Sequence, residues 1–358
     1  MLRVGAATQG YIRNDSTVYD RVREVVREGQ AADEAGLDLF GMSEQHFKFP
    51  TNATGAMEVF FSALAATTSR IRLQPGAVIP PLHHPLNLAE RWGTIDILSG
   101  GRLDFAVGRG NTPLTAQAFQ VPLAETNDRT RESLEIIVKA WTSEHFEHHG
   151  KFYSFPSVRV NPPSCQRPHP PLALAATSVG AARLAGSMRV GLMITTNGFS
   201  WENVQDRIDA YRAAWETGET IAGAAPNRTI CAHVPGHLAA SFEVARRQVE
   251  FGVVEYANRA IKQRHEVHLK TYGSTDGIES SAQFVDNFDS IALGAPAAFG
   301  SPDDVLENLV RLHRMGAGEL VVHHDYGRHE ELLESIRLLG TEVKPALLAE
   351  VAGVAAGR

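Results

Sequence analysis

Residues 71–110, IRLQPGAVIPPLHHPLNLAERWGTIDILSGGRLDFAVGRG, decide the fold. They read as a strand, a Pro/His loop, a helix and a second strand that ends in Gly108-Arg109-Gly110. Two strands joined by a crossover helix form the repeating unit of a parallel sheet. In parallel α/β proteins ligands bind where strands run out into loops, and Arg109 stands at such an end. The glycines let backbone approach a ligand closely. The guanidinium suits a bidentate grip on a phosphate or carboxylate.

The same alternation runs along the chain. Candidate strands fall at residues 2–7, 37–42, 71–78, 103–108, 172–175, 190–194, 229–234 and 320–323. Eight strands separated by helical patterns predict one (β/α)8 TIM barrel over residues 1–358. Val305, Leu306, Leu309 and Leu312 show helical spacing. That helix has a start at Ser301-Pro302 with Asp304 completing a capping box, and a stop at Gly316. The proline-rich NPPSCQRPHPP at 161–171 reads as a surface connection, because alternation resumes after it. Residues 262–300 lack sustained periodicity and include Tyr272-Gly273-Ser274-Thr275-Asp276-Gly277. They predict an irregular insertion before the last strand that acts as a lid.

Composition removes several classes. The 358 residues are 43% hydrophobic, enough for a sizeable core. A net charge of −7 from 34 basic and 41 acidic residues, without a Lys/Arg run, argues against nucleic acid. Two cysteines, Cys165 and Cys231, give no disulfide framework and fit a reducing, cytoplasmic setting. No apolar run approaches the roughly 18 residues of a membrane span, and MLRVGAATQG reads as a first strand rather than a signal peptide.

The residues just past each strand outline a site. Strand 2 runs into Glu44-Gln45-His46, strand 3 ends at Gly76-Ala77, and strand 4 delivers Arg109. Arg131 begins the next helix, and Thr177, Ser178 and Gly180 come directly after strand 5. Two arginines, two hydroxyls and a glycine-bearing helix start make an anion cradle. For the arginines the alternative is a structural ion pair with a carboxylate such as Glu135, and for Glu44 an internal salt bridge. Arg102 belongs to the opposite barrel end and reads as structural; His83 and His84 are open to both readings. Glu144-His145-Phe146-Glu147-His148-His149 lies at a helix end before Gly150, so no metal site is expected there. Of His323 and His324, alternation sends one inward as a pocket wall.

These strings resemble the bacterial-luciferase-like flavin monooxygenases, and within them the catalytic luciferase alpha subunit, over nearly the whole chain. The carrying residues are Glu44-Gln45-His46-Phe47, Pro81-Leu82-His83-His84-Pro85 before Ala89-Glu90, Ser99-Gly100-Gly101-Arg102, Gly108-Arg109-Gly110 and Arg131 with Glu135. The resemblance implies that Arg109 and Arg131 hold the phosphate of FMN, with Thr177, Ser178 and Gly180 helping. It places a non-prolyl cis peptide at Gly76-Ala77 beneath the flavin ring and His46 at the reacting edge. Where the family has Glu-His-His, this chain has Gln45, and an amide takes no proton at neutral pH. That acid/base role is absent here or belongs to another group.

The implied reaction is oxygenation of a small organic substrate by O2 through a C4a-(hydro)peroxyflavin, with FMN arriving reduced from a separate flavin reductase. A homodimer is implied by resemblance alone. Three alternatives stand beside it: hydride transfer with the deazaflavin F420, a non-catalytic partner like the luciferase beta subunit, and a metal-dependent barrel hydrolase. Strand 1 ends in Ala7-Thr8-Gln9, without the His-x-His ligands usual in such hydrolases.

Overall fold

The computed structural model describes residues 2–13, 15–48, 51–110, 112–272 and 287–356. Strands along the chain are β1 (Arg3–Thr8), β2 (Leu39–Met42), β3 (Arg72–Pro75), β4 (Phe105–Val107), β5 (Phe146–His149), β6 (Ser154–Val158), β7 (Leu172–Ala176), β8 (Gly191–Thr195), β9 (Ile230–Leu238), β10 (Ala298–Gly300) and β11 (Glu319–His323). Eight of them pair in parallel in the order β3-β2-β1-β11-β9-β8-β7-β4. Every strand expected of the barrel is present; β2, β3 and β4 are shorter than expected, while β7, β9 and β11 run longer. β1 lies between β2 and β11, with Arg3 opposite Glu319 and Ala7 opposite His323.

The seam between β3 and β4 closes the ring through isolated bridges, Leu73 with Leu103 and Val78 with Val107. Its hydrogen bonds include Asp104 N to Leu73 O at 2.9 Å and Gly108 N to Val78 O at 2.7 Å. Between the two bridges the Gly76-Ala77 peptide is cis. The conformation expected there from the family pattern is therefore present.

Helices α1 (Val18–Glu34), α2 (Met57–Thr67), α3 (Pro85–Leu98), α4 (Pro113–Ala118), α5 (Thr126–Thr142), α6 (Val179–Ser187), α7 (Trp201–Thr217), α8 (Phe242–Tyr272), α9 (Asp289–Ala292), α10 (Pro302–Met315), α11 (His329–Leu338) and α12 (Lys344–Ala356) surround the strands. A line of rings fixes α2, α3 and α5 behind β4. Phe61 meets Trp92 at 5.6 Å between centroids, Trp92 meets Phe105 at 5.6 Å, and Phe105 meets Trp141 edge-on at 5.3 Å. Such offset contacts add to the burial of large apolar surface. Trp141 also donates its indole N–H to Ala89 O at 2.9 Å, so burial leaves that donor satisfied.

α10 starts and stops as its sequence predicts, with a Ser301/Asp304 capping box and Gly316 left-handed at φ 118°. Arg102 is structural: it donates to Ala65 O, Thr68 O and Ile71 O, tying the end of α2 to the barrel base.

Two expectations need correction. The string 144–149 is not the end of a helix; Phe146–His149 pairs antiparallel with Ser154–Val158 as a hairpin. Its alternation, with Phe146 and His148 buried and Glu147 and His149 exposed, is that of a strand. The stretch from 262 is not irregular throughout, since α8 continues to Tyr272. Short elements also occupy its far end, in α9 and in β10, which pairs with β9. The proposed lid string beyond Tyr272 lies outside the described residues.

Candidate active site

The C-terminal ends of the barrel strands enclose a cavity of about 290 Å³. Loops after β1, β2, β4 and β7 bring Gln9, Glu44, Gln45, His46, Arg109 and Thr177 to its wall, and Gly76-Ala77 lies in it too. Parallel strands all point their C-terminal ends the same way, so residues far apart in sequence meet here.

One side is built on Glu44, whose side chain is buried. Its Oε1 accepts from His46 Nε2 at 2.7 Å and from His83 Nε2 at 2.8 Å, while Oε2 accepts from Ile79 N at 2.9 Å. Burial alone would raise the Glu44 carboxyl, but the two imidazole hydrogen bonds outweigh it and hold the group below the usual carboxylate range. Glu44 is thus tied into the protein by hydrogen bonds to two imidazoles, and the same carboxylate fixes the His46 ring. Phe119 meets that ring edge-on at 5.0 Å. Gln45 donates its amide to Gln9 Oε1 at 3.2 Å, and Gln9 Oε1 also accepts from the Tyr256 hydroxyl. Glu44, His46 and His83 each offer one ligand atom within 4.8 Å of the others, a spacing a divalent cation can use. In the structure those atoms hydrogen-bond each other. The Glu144–His149 histidines form no such group among the described residues.

Arg109 lies half-buried on the loop after β4, which is separated from the Glu44 loop only by β3. Among the described residues it has no hydrogen-bond or ion-pair partner. Gly110 is left-handed at φ 73°, and a Cβ there would press 2.8 Å from Ile79 Cγ2. Thr177 reaches the same cavity from β7. The other cradle residues fall elsewhere. Arg131 is 61% exposed and pairs with Glu135 at 3.4 Å, because i,i+4 spacing on α5 brings the two together. Ser178 caps α6, accepting from Ala181 N at 3.2 Å, and neither it nor Gly180 lines the cavity.

Several wall residues escaped the sequence reading. Lys48 lines the cavity, and burial, reinforced by the charge of Arg259, pushes its amine down to about 8. Tyr256 of α8 and Tyr326 also contribute, as do His233 of β9 and His323 of β11. Alternation sends one of His323 and His324 inward without saying which; it is His323, with His324 turned outward onto Ser335 Oγ at 2.8 Å. The same period-two rule applied to β9 would have flagged His233.

The family model described as luciferase-like monooxygenase matches residues 2–319. The chain is 29% identical over 209 residues to the oxygenase component of the flavin-dependent trigonelline monooxygenase of Acinetobacter baylyi, covering 57% of this chain and 56% of that one. For several such relatives the chain spans only about half their length. Identity is 28% over 342 residues to 4-hydroxyprotoasukamycin monooxygenase of Streptomyces nodosus subsp. asukaensis, covering 89% and 86%. In fold it is similar to the oxygenating constituent of 3,6-diketocamphane monooxygenase from Pseudomonas putida, solved with FMN, at TM-score 0.74, 23% identity and coverage of 96% and 98%. The barrel, the cis peptide in its floor and the match over residues 2–319 agree: the chain belongs to the luciferase-like monooxygenase family.

Proposed function

We propose that this protein is the oxygenase component of a two-component flavin monooxygenase, taking reduced FMN from a separate reductase. The observation that carries the reading is Arg109, half-buried in the cavity wall without an ion-pair partner among the described residues, in the same cavity as the Glu44-bound His46. An unpaired guanidinium in a cavity is a site for a doubly charged phosphate. Bound there, FMN supplies the electrons that activate O2. Arg109 and Thr177 hold its phosphate, and Gly76-Ala77 gives the ring a wall free of bulky side chains. His46, oriented by Glu44, handles a proton near a small organic substrate. The relatives whose names specify flavin-dependent oxygenation support this assignment. Two copies associating as a homodimer is part of the same proposal and is tested by sedimentation.

The test is anaerobic titration with photoreduced FMN and, separately, with reduced F420, followed by mixing with O2. Tight binding of reduced FMN and altered reoxidation kinetics support the reading. Binding of F420 alone would replace it with hydride transfer, and binding of neither would leave a non-catalytic barrel.

A further inference from the structure

TIM-barrel interiors are usually packed with branched apolar side chains. Here a file of polar groups climbs through the interior to the cavity. At the base, Arg3 pairs with Glu319 and with Asp104, the latter at 2.9 Å. Glu319 Oε2 accepts from Gln74 Nε2 at 2.9 Å. Gln74 Oε1 faces His233 Nε2 at 3.3 Å and the Cys231 thiol at 3.5 Å. His233 Nδ1 meets His323 Nε2 at 2.8 Å, and His323 Nδ1 lies 3.6 Å from Asp325 Oδ2.

This order leaves each proton one place to sit. Flipping the Gln74 amide would set its oxygen against the Glu319 carboxylate and its NH2 against a thiol that burial, then Glu319, keeps protonated. Gln74 therefore presents an acceptor upward, and His233 must carry its proton on Nε2. Burial, with His323 adding to it, holds His233 neutral, so its Nδ1 is a bare acceptor. His323 must then donate from Nε2. Its own Nδ1 is buried, without a hydrogen bond, and faces a carboxylate. A lone pair there is repelled by Asp325, and a proton is attracted.

We infer that the file makes His323 the proton-holding group of the cavity floor: a neutral Nε2–H tautomer that takes a second proton on Nδ1, beside Asp325, when an anionic ligand fills the cavity. Glu319, Gln74 and His233 are positioning residues, and Asp325 is the counter-ion. The groups facing His323 agree with this. β9 contributes neutral His233. β1 contributes the Thr8 hydroxyl and the Gln9 N–H, which donate to Asp325 at 2.7 and 2.8 Å. Behind Thr8, Arg21 of α1 donates to its hydroxyl at 2.9 Å and pairs with Glu28. Burial works against an ionised Asp325; a proton on His323 Nδ1 favours it most, and Arg21 and Thr8 add to that. Buried His324 is pushed down to about 3 and stays neutral, while Tyr326 is raised and stays protonated. The proton comes from solvent and returns to it, and no other bond changes.

The anionic ligand in this inference is the reduced flavin of the proposed function, whose ring as well as phosphate carries negative charge. Two measurements separate the claims. Long-range 1H–15N spectra of ligand-free labelled protein, with His323 identified by its loss in His323→Gln, should show the Nε2–H tautomer at about pH 8 and a titration at Nδ1 on acidification. Asp325→Asn should move that titration down by on the order of one pH unit or more. Glu319→Gln, which keeps shape, should mix the His233 tautomers. A neutral Nδ1–H tautomer at His323 in the unmutated protein overturns the inference, whatever the variants do. Calorimetry of reduced FMN binding in two buffers of different ionisation enthalpy should show uptake of about one proton, absent in His323→Gln. Binding without uptake refutes the inference and spares the flavin assignment. No binding refutes that assignment together with the ligand-linked half of the inference, and the spectra still decide the tautomer.

Discussion

Replacing Arg109 with alanine isolates the proposed phosphate contact, because the side chain leaves no protein partner behind among the described residues. A charge-assisted bond to phosphate is worth about 1.5–3 kcal/mol. FMN affinity should therefore fall roughly 10- to 150-fold, while affinity for riboflavin, which lacks the phosphate, hardly changes. Arg131 makes the control. It is 61% exposed and already paired with Glu135 at 3.4 Å, so its removal should cost below about 1 kcal/mol, under roughly fivefold. The assay is anaerobic titration of each variant with reduced FMN and reduced riboflavin, with thermal unfolding measured in parallel. Equal affinity of the unmutated protein for the two flavins would refute the anchor. A loss in Arg131→Ala as large as in Arg109→Ala would instead show that Arg131 leaves Glu135 when the ligand binds.

Three further outcomes test the surroundings. Glu44→Ala strands the His46 and His83 donors and the Ile79 N–H, so Tm should fall at pH 7, with about 1–3 kcal/mol at stake per orphaned group. Because Glu44 titrates below its unfolded value, its contribution is full above roughly pH 4–5 and is lost as pH falls through the folded value, so the Tm gap should narrow in acid. Lys48→Met should raise Tm at pH 7, where a buried cation is a cost, and the gain should shrink from about pH 8 towards 10 as the native amine and then the unfolded one lose their protons; a gain unchanged with pH would contradict the burial argument. Gly186→Ala should destabilise by about 1–3 kcal/mol despite the better helix propensity of alanine, because its Cβ would lie 2.3 Å from Tyr211 O, an atom the α6–α7 packing cannot move; an unchanged denaturation midpoint would refute that.

The barrel was legible because each strand is an apolar run bounded by helical spacing, and the pattern repeats eight times. The β5–β6 hairpin was missed because its strands are only four and five residues long, and a His-rich string just after a helix invites a helix-end reading. The far half of α8 was missed because its apolar residues make no clean face, so periodicity had nothing to show. In the site, residues at strand ends could be found one by one, as Arg109 and His46 were, and His323 as one of a pair with His324. What joins them could not. The Glu44–His83 bond spans 39 positions and the Gln74–Glu319 bond 245, and only the pairing of strands in the barrel brings such partners together. Arg131 shows the converse, a motif residue whose local partner four positions away takes the side chain in the ligand-free fold.

The pairing of β1 with β11 has a bearing on how the chain is made. Arg3 finds its neighbour in the sheet at Glu319, and until that residue leaves the ribosome one side of the first strand has no mate. At synthesis rates of about 5–20 residues per second, the wait is roughly 15–60 s. Any sheet that β1 to β4 form over that time has a bare, apolar edge at β1, of the kind that pairs with other chains. The nascent protein is thus most exposed to aggregation near the end of translation, and a chain stalled before residue 319 carries that edge permanently. Expression yield should depend on chaperone supply, and a permuted gene that makes β11 just ahead of β1 would shorten the hazard.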